Sequence, residues 1–346
     1  MTARQKTMIV AAALVGGALL LALERRYAGA NRNPRAGVVQ SFGAQDAPVP
    51  PASPPPAANL LPAPGPIGLI HLSGVDFRSP ANPRGWWHWH VDPATGKPLD
   101  ARAPDYPAKF RAAFLLHAQK CAERARKHRC KLVLVWDIEG QEHDHPTSYL
   151  GDPRMLPPEM PPKLAGEFFE VFLKEGLNVG GTVRHTVPLQ TPYGVKQVLA
   201  AEPATALTDK INWGRRNLGW RAVYVDSNTA PDNWAQGKPK FLPADVFRQL
   251  RRDLPDTLMI VEWSDETYAT VPGLMAYRST NGSDDLPAGL PAAFVISKGI
   301  DLKNPDHRRR LREAIERGGL PFVSVDYDTQ GLGEQLVDLY YATAGK

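Results

Sequence analysis

Eight short apolar runs, separated by segments with helical spacing, recur between residues 67 and 325 and set the tightest limit on what this chain can fold into. They are 67–72 (IGLIHL), 131–136 (KLVLVW), 178–183 (NVGGTV), 222–225 (AVYV), 258–261 (LMIV), 274–277 (LMAY), 293–296 (AFVI) and 321–325 (PFVSV). They lack the strict alternation of a strand with one wet face, so both faces are expected to be buried, as in a parallel sheet. Between them, Tyr106–His128 places Phe110, Ala113, Phe114, His117, Ala118 and Cys121 at three- and four-residue spacing, with Pro104-Asp105 as a start signal. Segments 167–175, 243–252, 307–317 and 331–342 repeat the pattern, and Gly176 and Gly318-Gly319 stop two of them. Eight strands with helices between them predict one α/β domain of the (β/α)₈, TIM-barrel type over 67–346. The sixth run follows the fifth too closely for a full helix. An open doubly wound sheet is the alternative, but the segment after the first run, SGVDFRSPANPRG, carries no glycine-rich dinucleotide fingerprint.

The rest of the chain has a different composition. There are 34 prolines in 346 residues, about twice the usual ~5%, and nine of them fall between Asp46 and Pro66 among Ala and Ser. Such a stretch has fixed φ angles and few amide donors, and reads as an extended tether. Before it, 8–23 (MIVAAALVGGALLLAL) is uncharged and apolar and follows Arg4 and Lys6, the layout of a secretory signal or a signal anchor. Glu24, Arg25 and Arg26 stand between this run and the small-residue tripeptide Ala28-Gly29-Ala30, which favours retention as a single-pass anchor over cleavage. Sixteen helical residues span ~24 Å against a ~30 Å hydrocarbon core, so such an anchor calls for bilayer thinning or snorkelling flanks. The expected layout is therefore 1–30 signal or anchor, 31–66 linker and 67–346 barrel, the barrel lying outside the cytoplasm, periplasmic or secreted, and tethered to a membrane. In that compartment Cys121 and Cys130 either close a small disulfide loop or remain thiols. The net charge of +5 contains no block of five basic residues, which argues against a nucleic-acid partner.

In a barrel of this type the chemistry lies at the C-terminal ends of the strands. Carboxylates follow four of the eight runs: Asp137 and Glu139, Asp226, Glu262 with Asp265, and Asp326 with Asp328. The third run ends in Arg184-His185, and the loop after the first carries Trp86, Trp87, His88, Trp89 and His90. Asp265 and Asp328 suit helix N-caps equally well. Trp86, Trp87 and Trp89, set among Arg84, His88, His90 and Asp92, read as a sugar-stacking platform, with core packing as the alternative. Asp226 and Glu262 each stand first beyond an apolar strand and are expected to point into the barrel mouth. Two such carboxylates with an Arg, a His and aromatics nearby are the equipment of glycoside hydrolysis, with a carbohydrate as partner and no cofactor. Asp137, Glu139, Arg184, His185, Asp326 and the three tryptophans are the expected substrate contacts.

The motifs AVYVDSN and LMIVEW, with Asp226 and Glu262 36 residues apart, resemble those of alpha-amylase-type barrels and the related endo-alpha-N-acetylgalactosaminidases, retaining enzymes on α-linked sugars. The resemblance implies that Asp226 is the nucleophile and Glu262 the proton donor. Two departures stand out. Tyr224 occupies the place of an arginine two residues before the nucleophile, leaving Arg184 on the neighbouring strand to supply that charge. Ser297-Lys298 occupies the place of a third acid, leaving Asp326. The segment 136–159 concentrates Asp137, Glu139, Glu142, His143, Asp144 and His145, and reads as a substrate loop over the mouth or, through its His and carboxylate groups, as a metal site. Two further readings stay open. One is a metal-dependent hydrolase of the amidohydrolase type, for which His88, His90 and Asp326 form a partial ligand set. The other is a non-catalytic, membrane-tethered barrel that binds polysaccharide.

Overall fold

The computed structural model describes residues 65–74, 79–80, 82, 84–86, 91–140, 150–191, 194–226, 242–262, 274–279, 292–296, 301–326 and 331–345. All belong to one compact unit, Ser53–Pro231 with Phe241–Lys346. Eight parallel strands close into a barrel: β1 (Ile67–His71), β2 (Leu132–Trp136), β3 (Asn178–Arg184), β6 (Ala222–Asp226), β7 (Leu258–Glu262), β8 (Leu274–Ser279), β9 (Ala292–Ile296) and β10 (Leu320–Ser324), with β10 back on β1. Each of the eight apolar runs forms one of these strands. Following the pairing registers once round the sheet returns to β1 displaced by eight residues, the stagger of a TIM-type barrel.

Six helices are described: α1 (Tyr106–Lys127), α2 (Pro162–Lys174), α3 (Pro203–Leu218), α4 (Ala244–Asp253), α5 (Pro305–Glu316) and α6 (Leu332–Ala344). The links 263–273 and 280–291, between β7, β8 and β9, lie outside the described residues. Between β3 and β6 the chain makes an excursion the sequence reading did not anticipate, an antiparallel hairpin of β4 (Thr186–Thr191) and β5 (Gly194–Leu199) followed by α3. Leu207, Ile211, Gly214 and Leu218 give α3 its buried stripe, but Lys210 lies on the same side, wholly buried, and masks the amphipathic pattern.

The close fit of α3 to β3 depends on two glycines. A Cβ on Gly181 would fall 2.0 Å from the Trp220 ring and one on Gly214 2.2 Å from it, so the indole is held between strand and helix where no larger residue fits. Inside the barrel, aromatic side chains meet across the axis: Trp136 and Tyr224 rings are 4.6 Å apart, and Tyr224 and Phe322 6.1 Å. Outside it, α1 and α2 share a phenylalanine cluster in which Phe114 and Phe168 stack at 4.4 Å. Trp86 joins this cluster, 4.9 Å from Phe110 and 3% exposed. That position corrects its expected place in a sugar platform, because a face covered by Phe110 and Phe114 cannot also stack on a sugar; Trp87 and Trp89 lie outside the described residues. Cys121 and Cys130 are both buried thiols, so the disulfide alternative is not realised. Burial pushes the Cys130 thiol up to about 12 and Cys121 well above its ordinary value.

Candidate active site

Strand alternation determines which side chains face the barrel mouth. The Tyr224 ring crosses the interior, so Asp226, two residues on, points inward one layer higher. Arg184 pairs in register with Asp226, and Glu262 follows the Val225–Val261 pair by one residue, which brings all three to one level on neighbouring strands. Arg184 Nε donates to Asp226 Oδ2 at 2.7 Å, and its Nη2 lies 2.7 Å from the same oxygen. A guanidinium so placed favours the ionised carboxylate. A positive charge thus reaches Asp226 from Arg184 on the adjacent strand. Asp226 and Glu262 are each only 2% exposed.

Arg184 is held by a buried polar network whose members are far apart in sequence. Its amide donates to the Gly151 carbonyl at 2.9 Å. Lys210 Nζ donates to the carbonyls of Thr186 (2.7 Å), Arg184 (2.8 Å) and Gly151 (3.2 Å), and lies 3.7 Å from Asp152 Oδ2. Asp152 also accepts two bonds from the Arg154 guanidinium, at 2.8 and 2.7 Å. Glu139 Oε1 accepts from the amides of Gly151 (2.5 Å) and Asp152 (3.3 Å). Desolvation brings the Lys210 ammonium down to about 8 and pushes the Glu139 carboxyl up. Glu139 is 0% exposed. It holds Gly151 and Asp152, the segment whose carbonyl accepts from the Arg184 amide. Gly151 and Asp152 were foreseen only as part of the segment 136–159, and Lys210 was not foreseen. For Lys210 the only sequence signal was a lysine interrupting an apolar helical stripe.

Asp137 and Asp326 also accept hydrogen bonds. Asp137 adopts φ 54°; its Oδ1 accepts from the Leu72 amide at 3.0 Å and its Oδ2 from the Ser73 hydroxyl at 2.7 Å. Asp326 Oδ2 accepts from the His71 amide at 2.8 Å and its Oδ1 from the Ser324 hydroxyl at 2.5 Å. These two carboxylates clamp the end of β1 to β2 on one side and to β10 on the other. His185, the residue after β3, is 1% exposed. Beside Tyr224, the half-buried Trp136 also faces the interior beneath the acids, stacked on His71 at 5.5 Å; its sequence signal was its even spacing from Leu132 and Leu134. Among the described residues no group of three or more His, Cys, Asp or Glu is placed to hold a metal, and His88, His90, His143 and His145 lie outside them. Among the described residues no helix is long and apolar enough to cross a membrane; residues 8–23 also lie outside.

No family description and no curated protein matches the chain. Among solved structures it is similar to an alpha-L-fucosidase, with 16% identity over 83% of this chain and 74% of that one at a TM-score of 0.41. It is also similar to the alpha-N-acetylgalactosaminidase NagBb from Bifidobacterium bifidum (12% identity, 84% and 52% covered, TM-score 0.45). A third is the noncanonic maltogenic alpha-amylase AmyB from Thermotoga neapolitana (11% identity, 68% and 73% covered, TM-score 0.45).

Proposed function

We propose that the chain is a retaining glycoside hydrolase acting on an oligo- or polysaccharide, with Asp226 as nucleophile and Glu262 as acid and base, on a (β/α)₈ barrel held outside the cytoplasm by an anchor at residues 8–23. The observation that carries this reading is the Arg184–Asp226 ion pair at the level of Glu262 on the next strand. Adjacent strands lie about 4.8 Å apart, which suits the ~5–5.5 Å carboxyl separation of retaining enzymes rather than the wider inverting gap.

In this mechanism Asp226 attacks the anomeric carbon while Glu262 gives its proton to the glycosidic oxygen. The bond from that carbon to the leaving oxygen breaks and a glycosyl ester of Asp226 forms. Glu262, now a carboxylate, takes a proton from water as the water oxygen attacks the same carbon, which frees Asp226 and returns Glu262 to its acid form. Arg184 keeps Asp226 ionised before attack, and Trp136 offers an apolar floor for a sugar face.

The test is hydrolysis of a panel of aryl α-glycosides, with the anomeric configuration of the first product read by NMR. Retention is expected, and Asp226→Asn and Glu262→Gln should each lower kcat/KM by about 10³-fold with glycan binding kept. If both variants turn over like the parent, the assignment fails; if activity instead tracks added zinc, the metal-dependent alternative takes its place.

A further inference from the structure

The end of the barrel opposite the mouth is rich in basic side chains. Helices run antiparallel to the strands they follow, so the ends of α1–α5 and the turns leading to the next strands share the face opposite the mouth. Those last turns and connecting turns hold eleven Lys or Arg against five Asp or Glu, leaving out Arg124, whose guanidinium turns up to the Val325 carbonyl at 2.6 Å. That surplus, eleven minus five, exceeds the net +5 of the entire chain, so the remainder is net acidic. Cations in a last helical turn complement the helix dipole, but this does not account for Lys131 and Arg221, which stand beyond the helix ends. A cleft of about 530 Å³ opens on this face between the ends of α2 and α3, lined by Arg215, Arg216 and Arg221. Arg215 is paired with Asp256 at 2.6 Å. Arg216, Arg221, Arg252 and Lys131 are exposed, with no ion-pair partner among the described residues. The chain enters the barrel on the same side: Gly65, just before β1, sits against Lys131, Arg129 and Tyr341.

We infer that this face docks on a surface of anionic phospholipid headgroups, with Arg216 and Arg221 taking a phosphodiester in the cleft and the mouth turned away from the bilayer. Lysine and arginine at such a surface act additively and are screened by salt. The guanidinium groups of the cleft suit a singly charged phosphate through paired N–H donors. A zwitterionic surface offers no net attraction to the same face. The inference does not require the proposed anchor, although a tether leading in on the same side would hold the face near the membrane.

The full chain is reconstituted with vesicles of phosphatidylcholine alone or phosphatidylcholine with phosphatidylglycerol, and energy transfer is read from a single surface label to acceptor-labelled headgroups. Native Cys121 and Cys130 are buried, so labels go selectively on Asn217→Cys, at the end of α3, or Met155→Cys, on the loop after β2. Strong transfer is expected from the first position and weak transfer from the second, only with phosphatidylglycerol, and lost at high salt. Arg216→Gln with Arg221→Gln should weaken docking about thirtyfold without changing the thermal melt or glycoside turnover. Equal transfer with the two lipid mixtures at low salt, or transfer unaffected by the double substitution, overturns the inference. Flotation with phosphatidylcholine vesicles at high salt reports the anchor separately: without an anchor the protein stays in solution there yet still docks on anionic vesicles at low salt.

Discussion

At the scale of single residues, the Arg184–Asp226 pair shows how a buried charge is held in place by groups distant in sequence. Arg184 neutralises Asp226, and Lys210 gathers three carbonyls around the backbone of Arg184. Arg184→Leu should lower kcat/KM by about 10²-fold or more and move the acidic limb of the pH profile upward, because the Asp226 carboxylate loses the cation that favours its charged form. Lys210 has a folded value near 8 against an ordinary 10.5. Between those values the unfolded chain binds more protons, so stability should rise with pH across that window, by about 3 kcal/mol at ~1.36 kcal/mol per unit. Lys210→Met should abolish that rise, and at pH 7 should cost about 2–4 kcal/mol because Asp152 and three carbonyls lose their donor. Denaturant unfolding between pH 7 and 10.5 checks both. Glu139 has the opposite sign: its pKa is raised by burial, so stability falls as pH climbs from the ordinary value toward the raised one. Glu139→Gln, which keeps the acceptor for Gly151 and Asp152, should remove that fall and leave stability at pH 7 unchanged or higher. A marked loss at pH 7 would show that Glu139 is needed as a carboxylate.

At the scale of elements, the barrel strands were readable because each is an apolar run, and β1, β2, β3, β6, β7 and β10 are buried along nearly their whole length, whereas α3 and the β4–β5 hairpin were not. A buried lysine broke the helical stripe of α3, and the hairpin contains two prolines and a polar rim that look like loop in isolation. The contact between α3 and β3 is set by Trp220 between Gly181 and Gly214. Gly181→Ala or Gly214→Ala should each cost about 1–3 kcal/mol by overpacking, read as a lowered melting temperature. Replacing Trp220 by Leu in the Gly181→Ala background should recover part of it, and an additive loss instead would place the strain elsewhere.

For the molecule as a whole, closure is what turns local strands into a site. The eight-residue stagger of the closed sheet lifts the ends of β3, β6 and β7 to one level, while Asp137 and Asp326 join β1 to both neighbours. Removing residues 320–346 deletes β10 and α6 and leaves β1 and β9 as open edges, which invite edge-to-edge association. The truncated chain should aggregate or melt without cooperativity, where the full chain melts in a cooperative transition. A soluble, cooperatively melting truncation would show that closure is dispensable.

The repeat of apolar runs was enough to foretell a parallel α/β barrel, because burial on both faces leaves its mark in consecutive residues. The positions of Asp226 and Glu262 at the ends of those runs were equally plain, since alternation is a local property. Which strand-end carboxylates are taken up by backbone and hydroxyl donors was decided only by the tertiary structure. Asp137, Glu139 and Asp326 share with Asp226 an acidic position just beyond an apolar run, yet their oxygens accept from Leu72, Ser73, Gly151, Asp152, His71 and Ser324, groups lying up to 255 residues away. A carboxylate's role depends on the donors that surround it when water is withdrawn, and those donors arrive only when the chain has closed.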